Sequence, residues 1–137
     1  MELGLGEQLQ LLEVIPLQDV QNVYRIARMT VIPTPFEGWS GIPVFEAMAL
    51  GSPLATSRAC GIPEAVSDAG LLFDGLDVAN MAQALKRLWL DENLRKGLAA
   101  QALIASAART WDRAAQTYAG IYTEARTLWM RDHGGIS

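Results

Sequence analysis

The chain has 137 residues, half of them hydrophobic and 19% charged, with a formal net charge of −4. That balance excludes a disordered chain and a coiled coil, and the acidic surplus argues against generic binding to a nucleic-acid backbone. The length predicts one domain over residues 1–137, with an α/β part over 9–76 and a helical part over 77–137.

Short apolar runs alternate with short helical patterns in the first part. Residues 9–15 read as a buried strand, which Pro16 ends. Asp19 is placed to cap a helix through Arg28, with Val20, Val23, Tyr24 and Ala27 on one face. Thr30, Val31 and Ile32 form a second strand, closed by Pro33 and Pro35. A helix over residues 43–50 follows, with Pro43 in its first turn and Gly51 at its stop. Leu54, Ala55 and Thr56 read as a third strand. Gly61, Ile62, Pro63 and Glu64 open another short helix. Residues 70–73 read as a fourth strand, ended by Asp74 and Gly75. This alternation predicts a parallel sheet of about four strands with flanking helices, a truncated Rossmann-like arrangement.

Everything after Asp77 reads as helix. Val78, Met81, Ala82, Leu85, Leu88 and Trp89 recur at helical spacing. Asp91 caps a second helix over 92–108, and a third covers 112–131. The third carries a long stripe: Trp111, Ala114, Ala115, Tyr118, Ile121, Tyr122, Ala125, Leu128 and Trp129. Its first reading is core packing. Its second is that the last turns dock on something outside the chain.

Charge and cysteine usage narrow the chemistry. Residues 1–80 hold 10 acids and 3 bases, and residues 81–137 hold 5 acids and 8 bases. The basic half reads first as solvated helix faces and second as a surface for an acidic partner or anionic lipid. Cys60 is the single cysteine, which suits a reducing cytoplasm. One histidine, His133, leaves no Cys/His zinc set and no Ser-His-Asp triad. No apolar run approaches the roughly 18 residues of a transmembrane helix, so any membrane contact is expected to be peripheral. Neither a phosphate-loop lysine motif nor a complete G-x-G-x-x-G is present.

The informative stretch runs Pro35-Phe36-Glu37-Gly38-Trp39-Ser40-Gly41-Ile42-Pro43-Val44-Phe45-Glu46-Ala47-Met48-Ala49-Leu50-Gly51-Ser52-Pro53. It links a parallel strand to the next helix, and ligands of open α/β sheets bind beyond strand carboxyl ends. Gly38 and Gly41 let backbone approach a ligand closely. The following helix N-terminus suits a diphosphate. Glu37 and Glu46 bracket the loop. Carboxylates beside a phosphate site are unhelpful unless they accept hydroxyls, and sugar diols are the obvious partners. Local physics therefore points to a sugar nucleotide. Each residue has a plainer reading as well. Glu46 gains helix-dipole stabilisation in any case, and Glu64 reads as a helix-start carboxylate. Trp39 packs on the sheet or stacks on a ligand. Arg58 sits at the surface or reaches a phosphate.

In order and together, these pieces resemble the donor-binding, C-terminal part of retaining nucleotide-sugar glycosyltransferases of family-4 type, with the GT-B fold. The resemblance spans residues 9–122. It includes Val20-Gln21-Asn22-Val23-Tyr24-Arg25-Ile26-Ala27, the loop above, Gly61-Ile62-Pro63-Glu64 and Asp68-Ala69-Gly70-Leu71-Leu72, and closes over residues 111–122. It implies that Glu37 contacts the donor sugar as the catalytic-site carboxylate and that Glu46 holds the ribose hydroxyls. Backbone at Gly38, Ser40, Gly41 and Ile42 would face the sugar or diphosphate, and Val14 and Ile15 would lie near the base. No metal or resident cofactor is implied; the nucleotide sugar is substrate. Eight residues separate Glu37 from Glu46, where the family's pattern has one fewer. The family's basic pair on the diphosphate and its acceptor-binding domain have no counterpart in these residues. The expectation is a donor half that needs an acceptor domain from elsewhere. The rival expectation is a non-catalytic module that forms homo-oligomers or binds another protein.

Overall fold

The computed structural model describes residues 4–36, 38 and 41–133. A 3-10 turn at Gly6–Gln8 precedes the regular elements. These are α1 (Leu17–Ile26), β1 (Thr30–Ile32), α2 (Ile42–Ala49), β2 (Leu54–Ser57) and α3 (Ile62–Val66), then β3 (Leu71–Phe73), α4 (Val78–Leu90), α5 (Glu92–Ala107) and α6 (Trp111–His133). The sheet is parallel throughout, in the order β1-β2-β3. Thr30 pairs with Leu54 and Ile32 with Thr56; Ala55 pairs with Leu71 and Ser57 with Phe73. Each crossover carries a helix, as parallel neighbours require.

β2 is buried at every position, which fits a central strand covered on both faces. Leu54 points into one apolar cluster with Val44, Ala47 and Met48 of α2, Ile62 and Val66 of α3, and Ala102 of α5. Ala55 points into the other, with Phe73 of β3, Leu88 of α4 and Leu98 of α5. Helix α5 therefore touches both layers. Among the described residues no buried side-chain nitrogen or oxygen lacks a hydrogen-bond partner. Thr56 Oγ1 donates to the Ile32 carbonyl at 3.1 Å, and the Thr30 and Ser52 hydroxyls bond at 2.7 Å. Arg95 is buried because its guanidinium donates to the Leu88 and Trp89 carbonyls at 2.8 and 2.6 Å, closing the end of α4.

The helix signals in the sequence work mechanically. Asp77 Oδ1 accepts the Ala79 and Asn80 N–H groups at 2.9 and 3.0 Å, and Asp91 Oδ1 accepts Leu94 N–H at 2.9 Å. Gly51 takes φ 65°. Its N–H bonds the Met48 carbonyl and Ser52 N–H bonds Ala47, the paired contacts of a Schellman stop.

Three expectations change. Residues 9–15 form no strand; Leu11 and Val14 are 82% and 87% exposed. In the doubly wound order 3-2-1-4-5-6, three consecutive strands 4-5-6 lie side by side as β1-β2-β3 do. The preceding strand lies at the far edge and would have no neighbour here. Asp19 is not a cap; α1 starts at Leu17 after Pro16, and Asp19 lies in its first turn without a capping bond. Along α4, Val78 is exposed and Trp89 carries the Arg28 guanidinium 4.7 Å from its ring centroid. The α6 stripe is not core: the helix has no buried residue, and Trp111 is 92% exposed.

Two glycines give opposite expectations for stability. A Cβ on Gly70 would lie 2.7 Å from Val66 Cγ1 and 3.3 Å from the Leu54 carbonyl oxygen. Gly70→Ala should therefore cost about 1–3 kcal/mol by overpacking. Gly97 is exposed within α5 and an added Cβ would meet nothing within 4 Å, so Gly97→Ala should add roughly 0.5–1 kcal/mol. Thermal or urea unfolding of the two variants measures both signs.

Candidate functional site

Parallel strands deliver their outgoing loops to one side of the sheet. Here the chain beyond Ile32, Ser57 and Phe73 is tied together there. Ser57 Oγ donates to the Thr34 carbonyl, and Thr34 Oγ1 donates to the Phe36 carbonyl at 2.6 Å. Arg58 N–H donates to the Phe73 carbonyl at 2.9 Å. Gly75 closes the group: a Cβ there would lie 3.1 Å from Ser57 Cβ and 3.3 Å from the Thr34 oxygen. The loop from β1 to α2 thus starts from a fixed base.

Its far end is the N-terminus of α2. Gly41 stands before the first turn at φ 71°, ψ 130°, where side chains with a Cβ are strained. Among the described residues no side chain caps this end. The Val44 N–H is taken by the Gly41 carbonyl at 3.2 Å, and Pro43 has none to offer. The helix end carries partial positive charge beside the strand carboxyl ends.

Glu46 lies four residues after Ile42, so the two share one face of α2. Ile42 is exposed and Glu46 half-buried. The Tyr24 hydroxyl, arriving from α1, donates to Glu46 Oε2 at 3.1 Å. Burial raises the Tyr24 phenol to about 12 from an ordinary value of 10.0, and the hydrogen bond to Glu46 and its negative charge add to the rise.

The structure gathers Gly41, Ile42 and Glu46 at the start of one helix. Gly38 lies exposed in the loop before it, with open space where a Cβ would lie. Glu37, Trp39 and Ser40 lie outside the described residues. Val14 and Ile15 stand in irregular chain ahead of α1, Val14 exposed and Ile15 half-buried. Glu64 is exposed in the first turn of α3, and Arg58 is exposed just past β2. Cys60 is exposed in the turn before α3, and His133 stacks on Trp129 at the end of α6. Among the described residues no group of three His, Cys, Asp or Glu is placed to hold a metal, and no helix is long and apolar enough to cross a membrane. Sequence reading missed Tyr24 as a polar partner. It appears there as one apolar position among four, and a hydroxyl contact spanning 22 positions has no local signature.

A family model described as glycosyl transferases group 1 matches residues 1–103. The chain belongs to this family. A D-inositol 3-phosphate glycosyltransferase of Corynebacterium jeikeium (strain K411) is 34% identical over 125 residues, 90% of this chain and 30% of that protein. An O-antigen chain mannosyltransferase B of Escherichia coli is 33% identical over 98 residues, 72% of this chain and 26% of that protein. Among solved structures, sucrose-phosphate synthase from Thermosynechococcus elongatus superposes with a TM-score of 0.78 at 24% identity, covering 91% of this chain and 32% of that one. That likeness shows the shared fold. The chain thus spans about a third of the length of the family members it matches.

The Tyr24–Glu46 contact has a pH signature. A phenol whose folded value is raised adds stability in full below about 10, lost as pH rises through about 12. Glu46→Gln removes the negative charge and should lower the Tyr24 midpoint towards 10. Ultraviolet absorbance titration of both proteins reads the shift; superimposable curves would show the bond is absent in solution.

Proposed function

We infer that this chain binds the nucleotide-diphosphate sugar of a glycosyl transfer and supplies the donor side of a retaining hexosyltransferase. Membership of the glycosyl transferases group 1 family supports the reaction class. The observation that carries the site is the pairing of an uncapped α2 N-terminus with the Glu46 carboxylate on the same helix. The first attracts a diphosphate. The second can accept two hydroxyls of a ribose. In this reading Glu37 touches the donor sugar, and the backbone of Gly38, Ser40, Gly41 and Ile42 faces the sugar and diphosphate. Val14 and Ile15 flank the base. Catalysis then requires an acceptor-binding domain from elsewhere, because positioning and water exclusion need a second wall over the donor. With its one free thiol, we place the chain in a reducing cytoplasm.

Calorimetric titration with UDP-, GDP- and ADP-sugars tests the assignment. One of them should bind, and Glu46→Ala should weaken it about tenfold or more, the worth of a hydrogen bond to a charged group. Unchanged affinity would remove the ribose role of Glu46. Absence of binding at millimolar donor would end the donor reading for this chain.

A second reading rests on α6. Its exposed stripe of Trp111, Tyr118, Ile121, Tyr122, Leu128 and Trp129 suits a non-catalytic module that pairs two copies of the chain. Sedimentation equilibrium decides it. A concentration-dependent dimer that Ile121→Glu dissolves supports pairing, and a strict monomer at high concentration rules it out.

A further inference from the structure

Tyr24 and Glu46 come from different helices, separated by 22 positions, and meet at the edge of the first apolar cluster. The Tyr24 ring packs against that cluster while its hydroxyl reaches Glu46 Oε2. Ring packing alone would be served by phenylalanine. The hydroxyl instead spends its proton on one oxygen of a half-buried carboxylate. Among the described residues no other side chain donates to that carboxylate. A carboxylate has about four acceptor positions, so Oε1 and a lone pair of Oε2 stay open. Glutamate on a helix surface ordinarily samples several rotamers, and ordering it on binding has an entropic cost.

We propose that Tyr24 is a positioning residue for donor binding: its hydroxyl holds Oε2 of Glu46 so that Oε1 is aimed at the ribose diol. The proposal rests on the ribose-binding reading of Glu46. Tyr24 does not itself touch the donor in this arrangement. Its effect passes through the carboxylate, and it should exist only where there is a diol to bind. The raised proton affinity of the phenol agrees with this, because Tyr24 keeps its donor proton across the whole range in which the chain would work.

The test is a cycle of two residues and two ligands. The full chain, Tyr24→Phe, Glu46→Gln and the double variant are titrated calorimetrically with UDP, GDP and ADP. The nucleotide that binds is then compared with its 2′,3′-dideoxy counterpart. Tyr24→Phe should weaken the ribonucleotide about three- to tenfold, a modest share of a charge-assisted bond. It should leave the dideoxy analogue unchanged. In the Glu46→Gln background the same substitution should have no further effect, the non-additivity of residues acting as one unit. An equal loss on both ligands, or no loss on either, overturns the positioning role. Loss of melting temperature together with an equal loss on both ligands marks Tyr24 as purely structural and overturns it too. If the unaltered chain binds none of the three nucleotides, the donor reading itself fails and this inference with it. The first failure leaves wild-type binding intact, and the second abolishes it.

Discussion

β2 sends Leu54 towards Val44 and Met48 of α2 on one face of the sheet and Ala55 towards Phe73 and Leu88 on the other. Each large side chain buried this way contributes about 1.5–3 kcal/mol, and both layers draw on the same four-residue strand. Parallel pairing then forces every crossover back to the same end of the sheet. The Ser57–Thr34 bond, the Arg58–Phe73 bond and the close approach of Gly75 all follow at that end. The uncapped start of α2 faces outwards from there because its other end must return to Pro53 and begin β2. The position of the candidate site is thus a consequence of burying β2, not an addition to it.

The two ends of the described chain behave differently from this centre. β1 is an edge strand, half-buried at all three positions. Helix α6 carries an apolar stripe with no buried residue. An amphipathic helix gains stability by packing that stripe against another element, and an open strand edge invites pairing. The chain spans about a third of its relatives' length.

Local chemistry was legible wherever the sequence decides structure locally. Thr30–Ile32, the Asp91 cap and the Gly51 stop each depend on neighbours within a few positions. Residues 9–15 were not legible, because an apolar run becomes a strand only beside another strand, and strand order is a property of the whole sheet. The α6 stripe failed for the same reason: its periodicity declares a face, and nothing in it says what covers that face. At the candidate site, the places of Gly41 before α2 and of Glu46 within it were legible from type and position, whereas Tyr24 was visible only as an apolar-face residue. Its hydroxyl matters through a helix-to-helix contact that spacing along the chain does not encode.

The placement of Glu46 does not depend on the length of the loop before it. Its helix is fixed from the far end. Gly51 sets the stop, Ser52 is buried against Thr30, and Met48 and Val44 lock the rotation of α2 on the sheet. Counting back from those anchors, Glu46 faces Tyr24 whatever precedes Ile42. Gly41, at a positive φ, is the joint at which the chain changes direction before the helix starts. An additional residue between Glu37 and Gly41 therefore changes how the loop reaches that joint and leaves the Tyr24–Glu46 geometry as it is. Glu46 is in this sense controlled by the core and not by the loop before it. On the donor reading proposed above, a change in loop length would act on the sugar end of a donor and spare its ribose end.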